Sequence, residues 1–168
     1  MKRSEQHQVF ADWAARHNAI LWKVARSFAP SGEQEDLHQD LLVALWHAVP
    51  AYRSEAKPST FVYRVAHNYA LTWLRKQKRY QKTFEQMSDV GPGPAAPACG
   101  GEAESQRRID RLYEAIRGLP EVDRTLTLLY LDGVGYRDMA EVLGISESNV
   151  GVRLNRVKKR LAEELKED

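Results

Sequence analysis

The sequence has few of the features that mark membrane, secreted or metal-binding proteins. Its 168 residues include one cysteine, Cys99, so an internal disulfide or a cysteine-based zinc site is excluded. There is no run of about 20 apolar residues, and the polar residues 1–8 are unlike a secretory signal. The histidines follow no paired metal-ligand spacing, and no Ser/His/Asp or Cys/His arrangement can be argued. These absences predict a cytoplasmic chain without membrane insertion, catalytic residues, metal or cofactor.

The sequence also lacks runs of alternating apolar and polar residues, so we predict an all-α fold. Before residue 85, apolar positions spaced by three and four predict three helices. The first carries Phe10 to Phe28 with His17 as a core histidine on its apolar face. The second carries Leu37 to Val49, and Ser59 or Thr60 caps the third.

A segment rich in proline and glycine divides the chain. Residues 88–101 contain three Pro and four Gly and almost no large apolar side chain, which is typical of a flexible linker. We therefore predict two small helical domains, an N-terminal bundle at 1–84 and a C-terminal domain at 105–168, joined by a linker at 85–104.

The near-neutral net charge of +2 hides a strong sorting of charges. Residues 27–52 have four acidic side chains and no Lys or Arg, whereas residues 61–84 have six Lys or Arg and no acidic side chain. Two opposite surfaces within one domain indicate two different partners. The acidic turn at 33–40 leaves three interpretations open: a metal site, helix capping and solvation, or a docking surface for a basic partner.

The basic segment 61–84 interleaves six aromatic with six basic side chains. Basic groups hold phosphates and aromatic faces stack on unpaired bases, so this pattern favours single-stranded or melted nucleic acid. The alternative is that the aromatics are core residues. We expect a core position for Tyr69 and Trp73, and a functional position for Phe61 and Tyr63.

The C-terminal domain carries the pattern of a helix-turn-helix. Counting from Tyr136, a small Ala140 allows close helix approach, Gly144 suits a left-handed turn, and Val150 locks the second helix against the first. The second helix exposes Arg and Asn side chains that can read base edges, with further basic groups for phosphates. An ordinary helical hairpin with a solvated basic face is the alternative.

Three segments resemble bacterial sigma factors. Residues 35–46 (EDLHQDLLVALW) look like the helix that docks on RNA polymerase, and residues 61–68 (FVYRVAHN) resemble the helix that opens and reads the −10 promoter element. Residues 136–146 (YRDMAEVLGIS) and 150–161 are similar to the −35-reading domain. With two end domains and a short linker, the chain resembles the extracytoplasmic-function (ECF) subfamily.

The resemblance implies a transcription initiation factor that binds core RNA polymerase and promoter DNA and promotes promoter melting. The polymerase β′ clamp helices would face Glu35, Asp36, Gln39 and Asp40, and the β flap would hold the C-terminal domain. The −10 element would contact Arg53, Lys57, Phe61, Tyr63, Arg64, His67, Asn68, Arg75, Lys76, Lys78 and Arg79. The −35 element would contact Tyr136, Arg137, Ser146, Ser148, Asn149, Arg153, Asn155, Arg156 and Lys159. An anti-sigma factor or another regulator would control the protein.

The sequence departs from the family pattern early in the recognition helix, at Gly151 and Val152, so we expect Asn149, Arg153 and Arg156 to carry more of the −35 readout. Two other functions are alternatives. A stand-alone helix-turn-helix regulator would bind duplex DNA without polymerase and would leave the 61–84 pattern unexplained. A nucleic-acid-processing enzyme would need a catalytic constellation that the sequence lacks.

Overall fold

The computed structural model describes residues 2–87 and 103–166, and in these ranges all regular secondary structure is helical, with no strand. This agrees with the predicted all-α class. Two short 3₁₀ turns, at Ser31–Glu33 and Val49–Ala51, flank the third helix. The eight α-helices are α1 (Arg3–Arg16), α2 (Asn18–Phe28), α3 (Gln34–Ala48), α4 (Pro58–Met87), α5 (Ala103–Arg117), α6 (Glu121–Leu131), α7 (Tyr136–Leu143) and α8 (Glu147–Glu164).

The first predicted helix is two helices, because the chain leaves helical geometry at His17. His17 is half-exposed at this junction, so its predicted place in the core is wrong. The buried histidine of this part of the bundle is His38, which stacks on Trp22 at 4.1 Å between ring centroids and hydrogen-bonds with Asn18 Oδ1 at 2.8 Å.

Helices α2, α3 and α4 enclose the core of the N-terminal bundle with aliphatic side chains such as Leu21, Leu37 and Leu41. Helix α4 begins at Pro58, without the predicted Ser59 or Thr60 cap. Proline suits the first helical position because its missing N–H would have no partner there. The helix continues to Met87, three residues beyond the predicted domain boundary, and most of the predicted linker, with Cys99, lies outside the described residues.

The C-terminal domain contains the predicted helix-turn-helix. Gly144 has φ +65° and ends α7 in left-handed geometry, and its N–H donates to the Ala140 carbonyl. The Ser146 hydroxyl then caps α8 by accepting from the Asn149 N–H at 3.2 Å. Val150 is fully buried against the preceding helices, so Gly144 and Val150 play the structural parts that the sequence predicts.

The two domains pack directly on each other. Helix α2 contacts α5 and α6, and α4 contacts α7. Two arginines of the C-terminal domain satisfy carbonyl groups near the end of α2: Arg117 donates to Arg26 O at 2.9 Å, and Arg124 donates to Ser27 O at 3.5 Å. The Arg124 guanidinium also lies 5.4 Å from the centre of the Phe28 ring.

Two side chains of α4 are buried in this interface. The Tyr63 hydroxyl donates to the Asp132 carboxylate at 2.5 Å, and His67 Nδ1 hydrogen-bonds with Thr125 Oγ1 at 2.8 Å. Burial and the bond to Asp132 raise the pKa of Tyr63 well above its usual value. Burial lowers the pKa of the His67 imidazole to about 4, with a smaller opposing effect of Glu121.

We expect Gly144→Ala to lower the free energy of unfolding by about 1–2 kcal/mol, because an L side chain is disfavoured at positive φ. No atom lies within 4 Å of a Cβ built at Gly144, so the loss would be conformational. Gly135→Ala is the matched control, since its Cβ site is equally open and its φ is −72°. Chemical denaturation would measure both, and equal stability of the two variants would contradict the assigned turn.

The buried His67 predicts a pH dependence of stability. Its pKa in the folded state is below the unfolded value of 6.5, so the folded state binds fewer protons between pH 4 and pH 6.5. Stability therefore falls as the pH is lowered through this window, by about 2 kcal/mol from this group between pH 7 and pH 5. Denaturation of His67→Gln should show a shallower pH slope than the unchanged protein. Identical pH slopes of the two proteins would contradict a His67 imidazole that is buried and neutral in the folded state.

Candidate nucleic-acid and polymerase interface

The acidic side chains of α3 form an outward face on the N-terminal domain. The apolar face of this helix buries Leu37, Leu41 and Leu45 in the core, which leaves Glu35, Asp36 and Gln39 exposed. Carboxylates in the first turn of a helix are also favoured by its dipole. Throughout the described ranges, no group of three or more His, Cys, Asp or Glu is placed so that it could hold a metal ion.

The fourth predicted docking residue, Asp40, is placed differently. Its side chain is half-buried, and its carboxylate interacts with the Tyr69 hydroxyl through its charge and a hydrogen bond. Burial, followed by the charge of Asp40 and a hydrogen bond to it, raises the pKa of Tyr69. Asp40 is thus partly engaged within the bundle. Farther along the same outward face lies Val43, whose side chain is 55% exposed and which the sequence analysis missed.

The loop before α4 and the start of that helix enclose a cavity of about 260 Å³. Its wall includes Arg53, Phe61 and Arg64, all predicted to contact the −10 element, together with Glu141 of the C-terminal domain. The Arg64 guanidinium lies 5.4 Å from the centre of the Phe61 ring. A cavity with an aromatic wall and two guanidinium groups can accept a planar base attached to a phosphate.

Phe61 and Tyr63 are both buried, in contrast to the functional position predicted for them. Phe61 packs edge-on against Trp13 and Tyr52, with ring centroids 5.7 Å and 5.1 Å away, so part of its surface belongs to the core. Tyr63 and His67 lie in the contact between the domains. Of the predicted core pair, Trp73 is buried and Tyr69 is half-buried.

The rest of the predicted −10 set lies along the outer surface. Asn68, Arg75, Lys76 and Arg79 are exposed along α4. Three other cations of the set bond to carboxylates of the C-terminal domain: Lys57 to Asp138, Arg64 to Glu141, and Lys78 to Glu121. Lys57, Arg64 and Lys78 are thus joined to the C-terminal domain by ion pairs while their side chains stay partly exposed.

The predicted −35 residues converge on the outer side of the helix-turn-helix. Five of them are exposed to solvent on α7 and α8: Arg137, Ser148, Asn155, Arg156 and Lys159. Tyr136 is 46% exposed and lies beside Gly151, 3.6 Å from where a Cβ would stand, so this glycine leaves room for the ring and for a methyl group. Asn149 is half-buried, and Ser146 is exposed while capping α8.

Arg153 is not free for DNA readout in this structure. Its guanidinium donates to Asp123 at 2.8 Å, and its Nε is buried without a hydrogen-bond partner in the described part of the chain. This pair could not be predicted from the sequence, because the two residues are 30 positions apart on different helices. The same applies to Lys23 and Asp132, which form an ion pair across the domain contact and were absent from the predicted sites.

Comparison with known proteins identifies both domains. Residues 13–80 match the family described as Sigma-70 region 2, and residues 109–161 match Sigma-70 region 4. The chain is 27% identical over 167 residues to the RNA polymerase sigma factor CnrH of Cupriavidus metallidurans, covering 95% of this chain and 87% of CnrH. It is 26% identical over 156 residues to the ECF RNA polymerase sigma-E factor of Escherichia coli K12, covering 87% and 81%.

Two solved structures share the fold over both domains. One is the sigma factor RpoE in complex with the anti-sigma factor NepR from Bartonella quintana, with a TM-score of 0.73, 21% identity, and coverage of 96% of this chain and 99% of that one. The other is CnrH in complex with the cytosolic domain of CnrY, with a TM-score of 0.67, 22% identity, and coverage of 96% and 90%.

No described helix is long and apolar enough to cross a membrane.

The two family matches together cover more than two thirds of the chain, in the order region 2 then region 4, which does not favour a stand-alone helix-turn-helix regulator. The chain belongs to the sigma-70 family and is an ECF sigma factor, a transcription initiation factor that directs RNA polymerase to promoters.

Proposed function

We propose that the chain contacts core RNA polymerase through the outward face of α3, the −10 element through the loop before α4 and α4 itself, and the −35 element through α8. In this proposal residues 1–84 and 105–168 are the two working domains, with a linker between them. The protein is not an enzyme, requires no cofactor and acts in the cytoplasm. The observation that carries the proposal is the separation of an exposed acidic face on α3 from the basic surface along α4.

The acidic face supports the polymerase contact. Glu35, Asp36 and Gln39 project from a helix whose other side is fixed in the core, so the three side chains form a rigid and accessible set. The exposed Val43 adds an apolar side chain to the same face. Apolar contact combined with charge complementarity is a suitable basis for docking on basic helices such as the proposed β′ clamp.

The cavity beside Phe61 supports capture of a base that has left the DNA stack. Extruding a base costs a few kcal/mol, which stacking and phosphate contacts can offset. The exposed Asn68, Arg75, Lys76 and Arg79 continue along α4 from this end of the helix and would hold the backbone of the same strand. Melting is then favoured, because this surface of the protein would bind an unpaired strand with an extruded base, which intact duplex DNA does not offer.

The exposed side chains of α8 support −35 recognition in the major groove. Arg156 and Asn155 project outward and are of the types that bond to guanine and adenine edges. Arg153, held by Asp123, is better placed to stiffen the domain or to approach phosphate after rearrangement. The C-terminal domain would rest on the polymerase β flap.

A protein inhibitor is part of the proposal. RpoE of Bartonella quintana and CnrH are each found in complex with a partner, the anti-sigma factor NepR and the cytosolic domain of CnrY respectively. The shared fold and family support a regulator of this class for the present chain.

We expect Glu35→Lys combined with Asp36→Lys to weaken binding to bacterial core RNA polymerase at least tenfold, because like charges would then face each other across the contact with the basic clamp helices. Asp40 is left unchanged since it also contacts Tyr69. Glu5→Lys with Asp12→Lys is the matched control, an equal charge change on exposed positions of α1. The affinity of both double variants for core RNA polymerase is measured at moderate salt, and equal affinities would contradict docking through α3.

Arg156→Ala should relax base preference at one position of the −35 element, at a cost of about 1–3 kcal/mol for the preferred base. The measurement is selection of promoters by the reconstituted holoenzyme from a library randomised at −35. Lys158→Ala is the control on the same helix, because its ammonium group lies over the Tyr130 ring, 4.1 Å from the centroid. An unchanged preference in Arg156→Ala would remove Arg156 from the readout.

A further inference from the structure

One apolar side chain stands in the middle of the exposed polar face of α8. Val152 is 50% exposed. Residues three and four positions away are its neighbours on the helix surface, and all four of them are predicted to contact the −35 element: Ser148, Asn149, Asn155 and Arg156. Val152 itself is absent from that predicted set, yet it lies at the centre of it.

Helix geometry keeps Val152 out of the core of the C-terminal domain. The buried side of α8 is formed by Val150, Leu154 and Val157. Val152 is two residues from both Val150 and Leu154, and at about 3.6 residues per turn it projects from the opposite side of the helix. The exposed half of this side chain is therefore available to a bound molecule.

Gly151 shapes the surface beside Val152. It carries no side chain, and the nearest atom to a Cβ built there is Tyr136 Cε2, at 3.6 Å. The Tyr136 ring, which is itself exposed, therefore extends the apolar surface on this side of α8. A valine side chain is short, so it touches a base only where the helix backbone lies close to the base edges. The neighbouring glycine leaves room for that approach.

The major groove offers one apolar group that such a surface can recognise. Every base pair presents hydrogen-bond donors or acceptors there, and thymine alone also presents a C5-methyl group, which apolar side chains contact. The residues of a recognition helix that reach base edges are those near its N-terminus. Val152 fits this requirement, because α8 begins at Glu147 and Val152 lies in its second turn.

We propose that Val152 is a specificity-determining residue that reads the C5-methyl group of a thymine in the −35 element, with Gly151 and Tyr136 shaping the contact. This inference rests on the proposed recognition of the −35 element by α8. It gives a function to the departure from the family pattern at these positions. It also assigns to an apolar contact part of the readout that the sequence places on Arg153, whose guanidinium is held by Asp123.

The test compares thymine with uracil, which lacks the methyl group and keeps the same hydrogen-bonding edges. The reconstituted holoenzyme first selects a duplex promoter from a library randomised at −35, and each −35 thymine of either strand is then replaced by uracil, one at a time. At one position uracil should weaken holoenzyme binding about fourfold at fixed salt, which corresponds to the ~0.8 kcal/mol gained by burying one such group.

The Val152→Ser variant should be indifferent to uracil at that position. It should bind the thymine promoter about as weakly as the unchanged protein binds the uracil promoter. Val152→Ala, a better helix former, is the second variant and should also reduce the difference. Leu165→Ser is the matched control, because Leu165 is an exposed apolar residue at the far end of α8, and it should keep the fourfold difference.

Three results would overturn the inference: equal binding of thymine and uracil promoters at every −35 position, an undiminished effect of uracil in Val152→Ser, or selection of a −35 element without any A·T pair. Scrambling the whole −35 element is measured in parallel. If scrambling left holoenzyme binding unchanged, the proposed recognition by α8 would fail, whereas a retained −35 dependence without a methyl effect would refute only the role of Val152.

Discussion

Helix α2 packs against both domains, and the arrangement of the molecule depends on this packing. One side of this helix places Leu21 and Val24 against α3 and α4, and its end meets α5 and α6 of the other domain. Phe28 illustrates the result, since it is buried in the bundle and also lies under the Arg124 guanidinium. Because one helix serves both cores, the position of the C-terminal domain is tied to the packing of the N-terminal bundle.

This arrangement places the acidic and the basic surface of the N-terminal domain, the two proposed binding surfaces, in different environments. Helix α3 lies away from the C-terminal domain and presents Glu35 and Asp36 to solvent. Helix α4 packs against α7, so its first turns are covered while Arg75 and Arg79 are open. The charge sorting visible along the chain therefore becomes a spatial sorting into an exposed acidic face on α3 and a basic helix, α4, whose first turns pack against the other domain.

Most of the features that could be predicted depend on residues close together in the sequence. The left-handed turn at Gly144, the Ser146 cap and the buried Val150 depend on neighbours within a few residues, so the helix-turn-helix could be recognised from its spacing. The break at His17 and the burial of Tyr63 could not, because apolar periodicity continues through both positions. Arg153 looked like a DNA-reading side chain since helical spacing places it outward, whereas its partner Asp123 comes from a distant helix. Contacts of that kind are set by tertiary packing.

The pairs across the domain contact also bear on how the protein can change over time. In the proposed function Lys57 and Arg64 would bond to DNA phosphate, whereas in this structure each bonds to a carboxylate of the same chain, Asp138 and Glu141 respectively. A substitution that improves one partnership alters the other, so the basic residues near the base pocket and the acids of α7 are expected to evolve together. Promoter preference and the contact between the domains would then be inherited as one trait, and exchanging a single domain between relatives would disturb both.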